Sequence, residues 1–443
     1  MATQDSELPT YETLPRRQSS QADEELSEHT FQLEDNKGRP WIWLTVKSRS
    51  KGDKQIPLFF EGDMVSGGVK VDFSKSSAIK AVSLTLSACV TTVGQEETEF
   101  LRINQVLWDA KRPSSLSEEL SPGSNQNLMS WRYAFHLPSE VSVPDRPKGP
   151  KSPYPIPPSF SERGSPVYVD YKLIVTVHRA LFRIDHTLVT SFAYTPKWRA
   201  EPPSPLRQVA YQEGSSIIGP EGDPDGWKVL PAVSVKGTIF NSREIEATCS
   251  LAIAKPLSFA AGSPVPLFVT IESTDSQALD LLSTPSSVRI SLFRERIVGK
   301  QATKAEEAIE DSAKDRGQSY NTIVEPVGSA FFWPSEEGGR VEGKHSLQGE
   351  MEIKAGSKPS FVFPGFALRY YIALLPFDAP GFVAESKDGP YLVTEKITVT
   401  TLNSPGMIPR SFAPPGYERK DETDFNNAVG YLENGNQRYV EGM

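Results

Sequence analysis

The sequence has too few cysteines and too little histidine patterning for a disulfide framework or a metal centre. Only two cysteines, Cys89 and Cys249, occur in 443 residues, and the five histidines show neither HExxH nor another metal-ligand spacing. Both cysteines lie in strand-like stretches, so we expect them to be small buried hydrophobic residues. No catalytic, metal-binding or cofactor-binding residue is predicted.

Signatures of nucleotide and acyl-transfer chemistry are also missing. The chain has no GxxxxGK[ST] loop, no GxGxxG turn and no GxSxG elbow. The net charge is -9 and no basic run occurs, which argues against nucleic acid as a partner. No apolar run approaches the roughly 18 residues of a spanning helix, and the start MATQDSELPT does not resemble a signal peptide. We therefore expect a cytoplasmic protein that needs no cofactor.

Apolar and polar residues alternate along much of the chain from Trp41 onwards, which is typical of half-buried strands. The longest alternating apolar sets are Val82, Leu84, Leu86, Ala88 and Val90; Val169, Tyr171, Leu173, Val175 and Val177; and Ile245, Ala247, Cys249, Leu251 and Ile253. Proline-rich connections separate these stretches and no helical period intervenes. The pattern predicts an all-β protein with two immunoglobulin-like antiparallel β-sandwich domains and disordered terminal segments.

Changes in composition divide the chain into five segments. Residues 1–39 are polar with few large apolar side chains, so we expect a disordered leader. A stretch rich in Pro, Gly, Glu and Ser indicates a linker between the two domains. The predicted order after the leader is a first domain over residues 40–199, the linker over 200–228, a second domain over 229–402 with a charged insertion near 300–318, and a tail over 403–443.

The tail carries the string Pro414, Pro415, Gly416 and Tyr417, which has the form PPxY. Paired prolines favour the polyproline II conformation, and WW domains read it with an aromatic-lined groove for proline and a second pocket for the tyrosine. A chain with 37 prolines can contain such a string by chance. Its position after the last predicted strand favours a real site, so we predict WW-domain binding by Pro414, Pro415 and Tyr417.

Two further short strings lie in the leader. The string LPTY replaces one proline of the motif by leucine, and it is either a second WW-domain site or plain disordered chain. A serine that follows two arginines suits kinases that hold arginine in acidic pockets, and a phosphate there would add roughly two negative charges; chance occurrence in a serine-rich leader explains this string equally well. The candidate residues are Leu8, Pro9 and Tyr11 for WW-domain binding and Ser19 for phosphorylation.

Several longer strings occur in an order known from one protein family. The first half contains FFEGDMVSGGVKVDF, AIKAVSLTLSACV, WRYAFHLPSE and PIPPSFSERGSPVYVDYKLIVTVHR, and the second contains VKGTIFNSREIEATCSLAIAKPLSFAAGSPVPLFVTIES. Together they resemble the α-arrestins, the arrestin-related trafficking adaptors, over roughly residues 40–402, more loosely in the second half. The string at Pro157 to Phe160 resembles the family's proline-serine-phenylalanine loop, lacks a tyrosine, and is predicted to be structural. Pro414 to Tyr417 matches the family's ligase-binding motif.

The resemblance implies two curved β-sandwiches joined by a hinge in a protein that is not an enzyme. Such an adaptor recognises cytoplasmic parts of plasma-membrane transporters or receptors and recruits a WW-domain HECT-type ubiquitin ligase for endocytosis and sorting. It associates with the plasma membrane or endosomes through its cargo. Family members often carry several PPxY copies, so the single full copy here leaves bivalent ligase binding open.

Two other functions stay open from the sequence. One is an arrestin-fold sorting or signalling scaffold that never meets a ligase. The other is a β-sandwich carbohydrate-active enzyme, whose catalytic carboxylate pair would meet only in space. The missing secretion signal and the lack of Trp or Tyr clustered around acidic residues disfavour the enzyme.

Overall fold

The computed structural model describes residues 26–50, 55–75, 79–94, 97–111, 127–144, 149–180, 183–304, 321–335, 340–385 and 389–416. Within these residues β-strands dominate, and the two α-helices are short, Pro205–Glu213 (α1) and Ser276–Leu282 (α2). Neither of these helices is long and apolar enough to cross a membrane. The predicted all-β fold class is confirmed.

The strands before residue 200, which we call the first half, form two main sheets and a hairpin. They are Ser27–Glu34 (β1), Pro40–Ser48 (β2), Leu58–Phe60 (β3), Met64–Asp72 (β4), Ile79–Thr92 (β5), Thr98–Asp109 (β6), Leu128–His136 (β7), Glu140–Pro144 (β8), Lys151–Pro155 (β9), Val167–Arg179 (β10) and His186–Thr195 (β11). One sheet has the order β1-β2-β4-β7 and the other β3-β11-β10-β5-β6, while β8 pairs with β9. The pairing is antiparallel except between β3 and β11.

The strands after residue 226, which we call the second half, form two more sheets. They are Trp227–Val229 (β12), Val233–Ile239 (β13), Arg243–Ala254 (β14), Ser258–Ala260 (β15), Pro264–Glu272 (β16), Ile290–Gly299 (β17), Thr322–Ser329 (β18), Phe331–Pro334 (β19), Arg340–Val341 (β20), Lys344–Glu352 (β21), Phe361–Phe363 (β22), Gly365–Leu374 (β23), Phe382–Ala384 (β24) and Val393–Thr400 (β25). Their orders are β19-β21-β16-β14-β13-β24 and β15-β25-β23-β17-β18. Strands β12, β20 and β22 pair with β14, β21 and β23.

The two halves share one strand order. The order β3-β11-β10-β5-β6 in the first half corresponds strand by strand to β15-β25-β23-β17-β18, and β1-β2-β4-β7 corresponds to β13-β14-β16-β21. In each half a three-residue strand pairs in parallel with the last long strand and then turns at a glycine, Gly62 (φ 83°) or Gly262 (φ 81°). A positive φ favours glycine, so these two residues mark the same turn in both halves. The chain therefore contains an internal structural repeat.

The alternating apolar faces predicted from the sequence lie in the core. All fifteen residues of the three sets quoted above are buried. The two cysteines are buried as predicted, with Cys249 0% and Cys89 4% exposed. Burial raises the pKa of both thiols to about 12, so they stay protonated at neutral pH.

The predicted leader is wrong at its C-terminal end, because β1 lies inside residues 1–39. This strand pairs antiparallel with β2, and its alternate residues face the core: His29 is buried, and Phe31 and Leu33 are half-buried. An edge strand needs only one apolar face, and here three side chains supply it between polar neighbours. Such a short alternation was hidden by the polar composition of the segment.

The predicted linker over residues 200–228 is folded rather than extended. It contains α1 and the first residues of β12, and α1 has Ser204 as N-cap and Gly214 (φ 72°) in the left-handed conformation as C-cap. The guanidinium of Arg207, 3% exposed, donates to the carbonyls of Gly226 and Lys255 at 2.7 Å each. These contacts fix α1 against the second half. Most of the charged insertion predicted near 300–318 lies outside the described residues.

Candidate functional site

A cluster of four charged side chains, three of them buried and one half-buried, joins the two halves. Strand β17 places Arg294 and Arg296 on one face, because residues two apart in a strand point the same way, and Glu325 lies opposite Arg294 in β18. The fourth member, Glu162, comes from the loop before β10 in the first half. We call Glu162, Arg294, Arg296 and Glu325 the junction cluster. Two carboxylates face two guanidinium groups, so its formal charges balance.

The geometry of the junction cluster is that of a bidentate ion pair with additional hydrogen bonds. Arg294 donates through Nη1 and Nη2 to the two oxygens of Glu162 at 2.7 Å each, and it also contacts Glu325. Arg296 donates to Glu325 at 3.1 Å and lies 3.7 Å from Glu162. Burial alone would lower the pKa of Arg294, but the two carboxylates raise it above its ordinary value. Arg294 therefore stays ionised, and its paired hydrogen bonds to Glu162 link the two halves.

Aromatic side chains also pair across the two halves. Phe160 packs on Phe366 with ring centroids 4.8 Å apart, and Phe363 packs on Phe100 at 4.9 Å and on Tyr154 at 5.8 Å. Each of these pairs has one ring from each half. The loop from Pro157 to Phe160 is fully buried, and the Tyr171 hydroxyl donates to the Pro157 carbonyl at 2.5 Å. Its predicted structural role is confirmed.

After the last strand, the backbone at Leu402 lies beside the residues where the linker begins. Leu402 donates its amide to the Trp198 carbonyl at 3.0 Å and accepts the Ala200 amide at 2.8 Å. The segment that follows lies along the second half, where Ser404 is buried and Met407 is half-buried. The tail predicted over residues 403–443 thus begins with a stretch held against the folded body.

Phe412 ends this held stretch in a defined contact. Its ring stacks on Tyr211 of α1 with centroids 5.9 Å apart and an interplanar angle of 17°, and its amide donates to Glu350 Oε2 at 3.0 Å. Glu350, on β21, is 5% exposed. Burial raises the pKa of this carboxyl, and hydrogen bonds from Ser411 and the Phe412 amide oppose that rise only in part.

The predicted WW-domain residues follow directly. Pro414 is half-buried, whereas Pro415 and Gly416 are exposed in a turn, with Gly416 at φ 93°. A positive φ at a Pro-Gly pair is typical of a type II turn. Five predicted site residues lie outside the described part of the chain: Leu8, Pro9, Tyr11, Ser19 and Tyr417.

Sequence reasoning missed the contact between Phe412, Tyr211 and Glu350. The only local signal was an aromatic residue two positions before the proline pair. Its partners lie 201 and 62 positions away, in a helix within the predicted linker and in a strand of the second half. A pairing over such separations follows from the fold and not from a local pattern.

In the sheet β3-β11-β10-β5-β6, a serine, a histidine and an aspartate are hydrogen-bonded in the order of a catalytic triad. His178 is 3.0 Å from Ser83 Oγ through Nε2 and 2.9 Å from Asp185 Oδ2 through Nδ1. Ser83 lies within β5, which pairs with β10 on one side and β6 on the other, so its backbone groups are committed to the sheet. These contacts link β5, β10 and the segment before β11.

No protein-family model matches the chain, and no curated protein is similar to it in sequence. The resemblance to α-arrestins therefore stays a prediction that stems from the strings quoted above. A function for the chain must come from its own residues and geometry.

Proposed function

We propose that the chain is an adaptor of the α-arrestin kind. Two β-sandwich domains recognise the cytoplasmic part of a membrane transporter or receptor, and a WW-domain HECT-type ubiquitin ligase binds Pro414, Pro415 and Tyr417. The shared strand order of the two halves supports a pair of related sandwiches. The junction cluster supports a rigid body that can hold cargo and ligase at a fixed separation.

The observation that carries the ligase part is the placement of the proline pair. Pro415 and Gly416 are exposed at the end of the described tail, beyond the last strand of either half. A WW domain needs a short extended ligand that is not part of a sheet. Pro415 and Gly416 lie outside any sheet, and their turn must open for the motif to extend. Through its cargo, the adaptor reaches the plasma membrane or endosomes and directs ubiquitin-dependent endocytosis and sorting.

The test is binding of an isolated WW domain to full-length protein, measured by calorimetry for the wild type and for Tyr417→Ala. A single PPxY motif binds in the micromolar range, about -7 to -8 kcal/mol. Loss of an aromatic anchor commonly costs about 2 kcal/mol or more, so Tyr417→Ala should weaken binding by at least about tenfold. Circular dichroism should show an unchanged fold.

Tyr11→Ala is the matched control, because it removes the tyrosine of LPTY. A small effect of Tyr11→Ala beside a large effect of Tyr417→Ala assigns binding to the tail motif. Equal binding by wild type and Tyr417→Ala would contradict ligase recruitment and favour the scaffold. Purification of the wild type from membrane extracts, followed by identification of co-purifying transporters or receptors, tests the cargo half of the proposal.

A further inference from the structure

We infer that the segment Ser411, Phe412 and Ala413, which we call the tail anchor, competes with the WW domain for the tail. When the anchor is docked on Tyr211 and Glu350, the motif is held against the body and binds the ligase weakly. When it is released, the motif binds at full strength. This inference rests on the proposed function, because it concerns the regulation of the same motif.

The anchor has both an apolar and a polar contact. The Phe412 ring covers Tyr211, which belongs to a small hydrophobic cluster with Trp227 and Phe268 that is separate from the main core. The Phe412 amide donates to a carboxylate that is itself buried, and a hydrogen bond to a charged group is among the stronger kinds. The neighbouring Ile408 in the same tail is 74% exposed. Docking of the tail is therefore selective, because Ser404 and the anchor lie against the body whereas Ile408 between them faces solvent.

The distance from anchor to motif is too short for both contacts at once. Pro414 lies two positions after Phe412, and two positions span at most about 7 Å of extended chain. A WW domain must place an aromatic-lined groove around the proline pair. Pro414 is itself half-buried, which leaves too little room for the groove walls while the anchor is docked. Binding of the ligase therefore requires that the anchor undock.

The cost of undocking lowers the apparent affinity. When only a fraction of the molecules is competent, the apparent dissociation constant rises by the inverse of that fraction. A segment held by a half-buried ring and by hydrogen bonds from Ser411 and the Phe412 amide belongs to the low-stability end of a structure, where local opening is frequent. An undocked fraction of about one in ten would make wild-type binding about tenfold weaker than that of a released tail.

The experiment compares WW-domain affinity, by calorimetry on the full-length protein, for wild type, Phe412→Ala, Tyr211→Ala and Ile408→Ala. Phe412→Ala and Tyr211→Ala should each bind about tenfold more tightly. Tyr211→Ala leaves the tail sequence intact, so its gain cannot come from a new contact with the WW domain. Ile408→Ala truncates an exposed side chain of the same tail and should bind like the wild type.

Hydrogen exchange provides a second measurement that does not depend on affinity. The Phe412 amide should exchange slowly in the wild type and quickly both in Tyr211→Ala and in the wild type saturated with WW domain. A Phe412 amide that stays protected with WW domain bound would overturn the inference. Wild-type affinity for the WW domain in both Phe412→Ala and Tyr211→Ala would also overturn the inference. If Tyr417→Ala still weakens binding in that case, the proposed ligase contact remains supported and only the competition is rejected. If Tyr417→Ala also binds like the wild type, the ligase proposal falls and the competition falls with it.

Discussion

Gly67 lies in β4 at a point where the next strand leaves no room for a side chain. A Cβ atom at this position would come 1.9 Å from the Thr45 carbonyl oxygen and 2.8 Å from the Tyr133 hydroxyl, which itself donates to Thr45 at 3.0 Å. Both neighbours are parts of the sheet and cannot move independently. Gly67 is therefore required by close approach of the strands, since its own φ is not positive.

We predict that Gly67→Ala destabilises the protein by about 1–3 kcal/mol, because overpacking a well-packed sheet forces the backbone apart. Urea unfolding measures the change. Gly68→Ala is the control in the same strand, since a Cβ there would meet only the Trp131 carbonyl oxygen, at an ordinary 3.6 Å. A loss for Gly68→Ala as large as that for Gly67→Ala would show that glycine's flexibility, and not the contact, matters in β4.

At the scale of elements, α1 depends on one side chain for its position. The Arg207 guanidinium donates to the two carbonyls of Gly226 and Lys255 and lies over the Trp227 ring at 4.8 Å. Lysine cannot reproduce this planar fork, although it keeps the charge. The charge of Arg207 alone is thus not what holds the helix.

We predict that Arg207→Lys lowers the free energy of unfolding by about 2 kcal/mol, the order of a lost hydrogen bond to a charged group plus its stacking. Leu206→Ala, at a residue 45% exposed on the same helix, is the control and should change stability by less than about 0.5 kcal/mol. Thermal unfolding, monitored by circular dichroism, measures the stability of both variants. Equal melting temperatures for wild type and Arg207→Lys would refute the role assigned to the fork.

The elements also show which parts of the molecule can be predicted from the sequence. The faces that begin at Val82 and Val169 follow from a local period of two, so they were predictable without the fold. Strand β1 and helix α1 were missed, because two apolar residues beside a buried histidine, and one buried arginine, are weak signals in polar segments. Pro414 and Pro415 were found as a motif, but Phe412 was not, since its partners are distant along the chain. Contacts between distant residues need the folded structure.

At the scale of the whole molecule, the junction cluster couples the stability of the two halves. Removing one member of a buried ion pair leaves its partner uncompensated, which commonly costs about 3–5 kcal/mol. Glu162→Gln keeps the shape but leaves Arg294 and Arg296 with the single carboxylate of Glu325. The two halves should then be joined mainly by aromatic contacts.

We predict that Glu162→Gln lowers stability by about 3 kcal/mol and increases the radius of gyration seen by small-angle X-ray scattering. Glu221→Gln is the matched control, because Glu221 pairs with Lys344 at an exposed position and a surface pair contributes at most about 1 kcal/mol. If both variants behaved like the wild type, the halves would be held without help from the cluster.

The backbone bonds that tie Leu402 to Trp198 and Ala200 give the tail a mechanical property. They form a short parallel bridge between the end of the second half and the start of the linker. A pull on the tail loads these bonds along the chain before it reaches β25. The force is therefore transmitted between the ends of the two halves. It does not act first on the hydrogen bonds between neighbouring strands of the sheets.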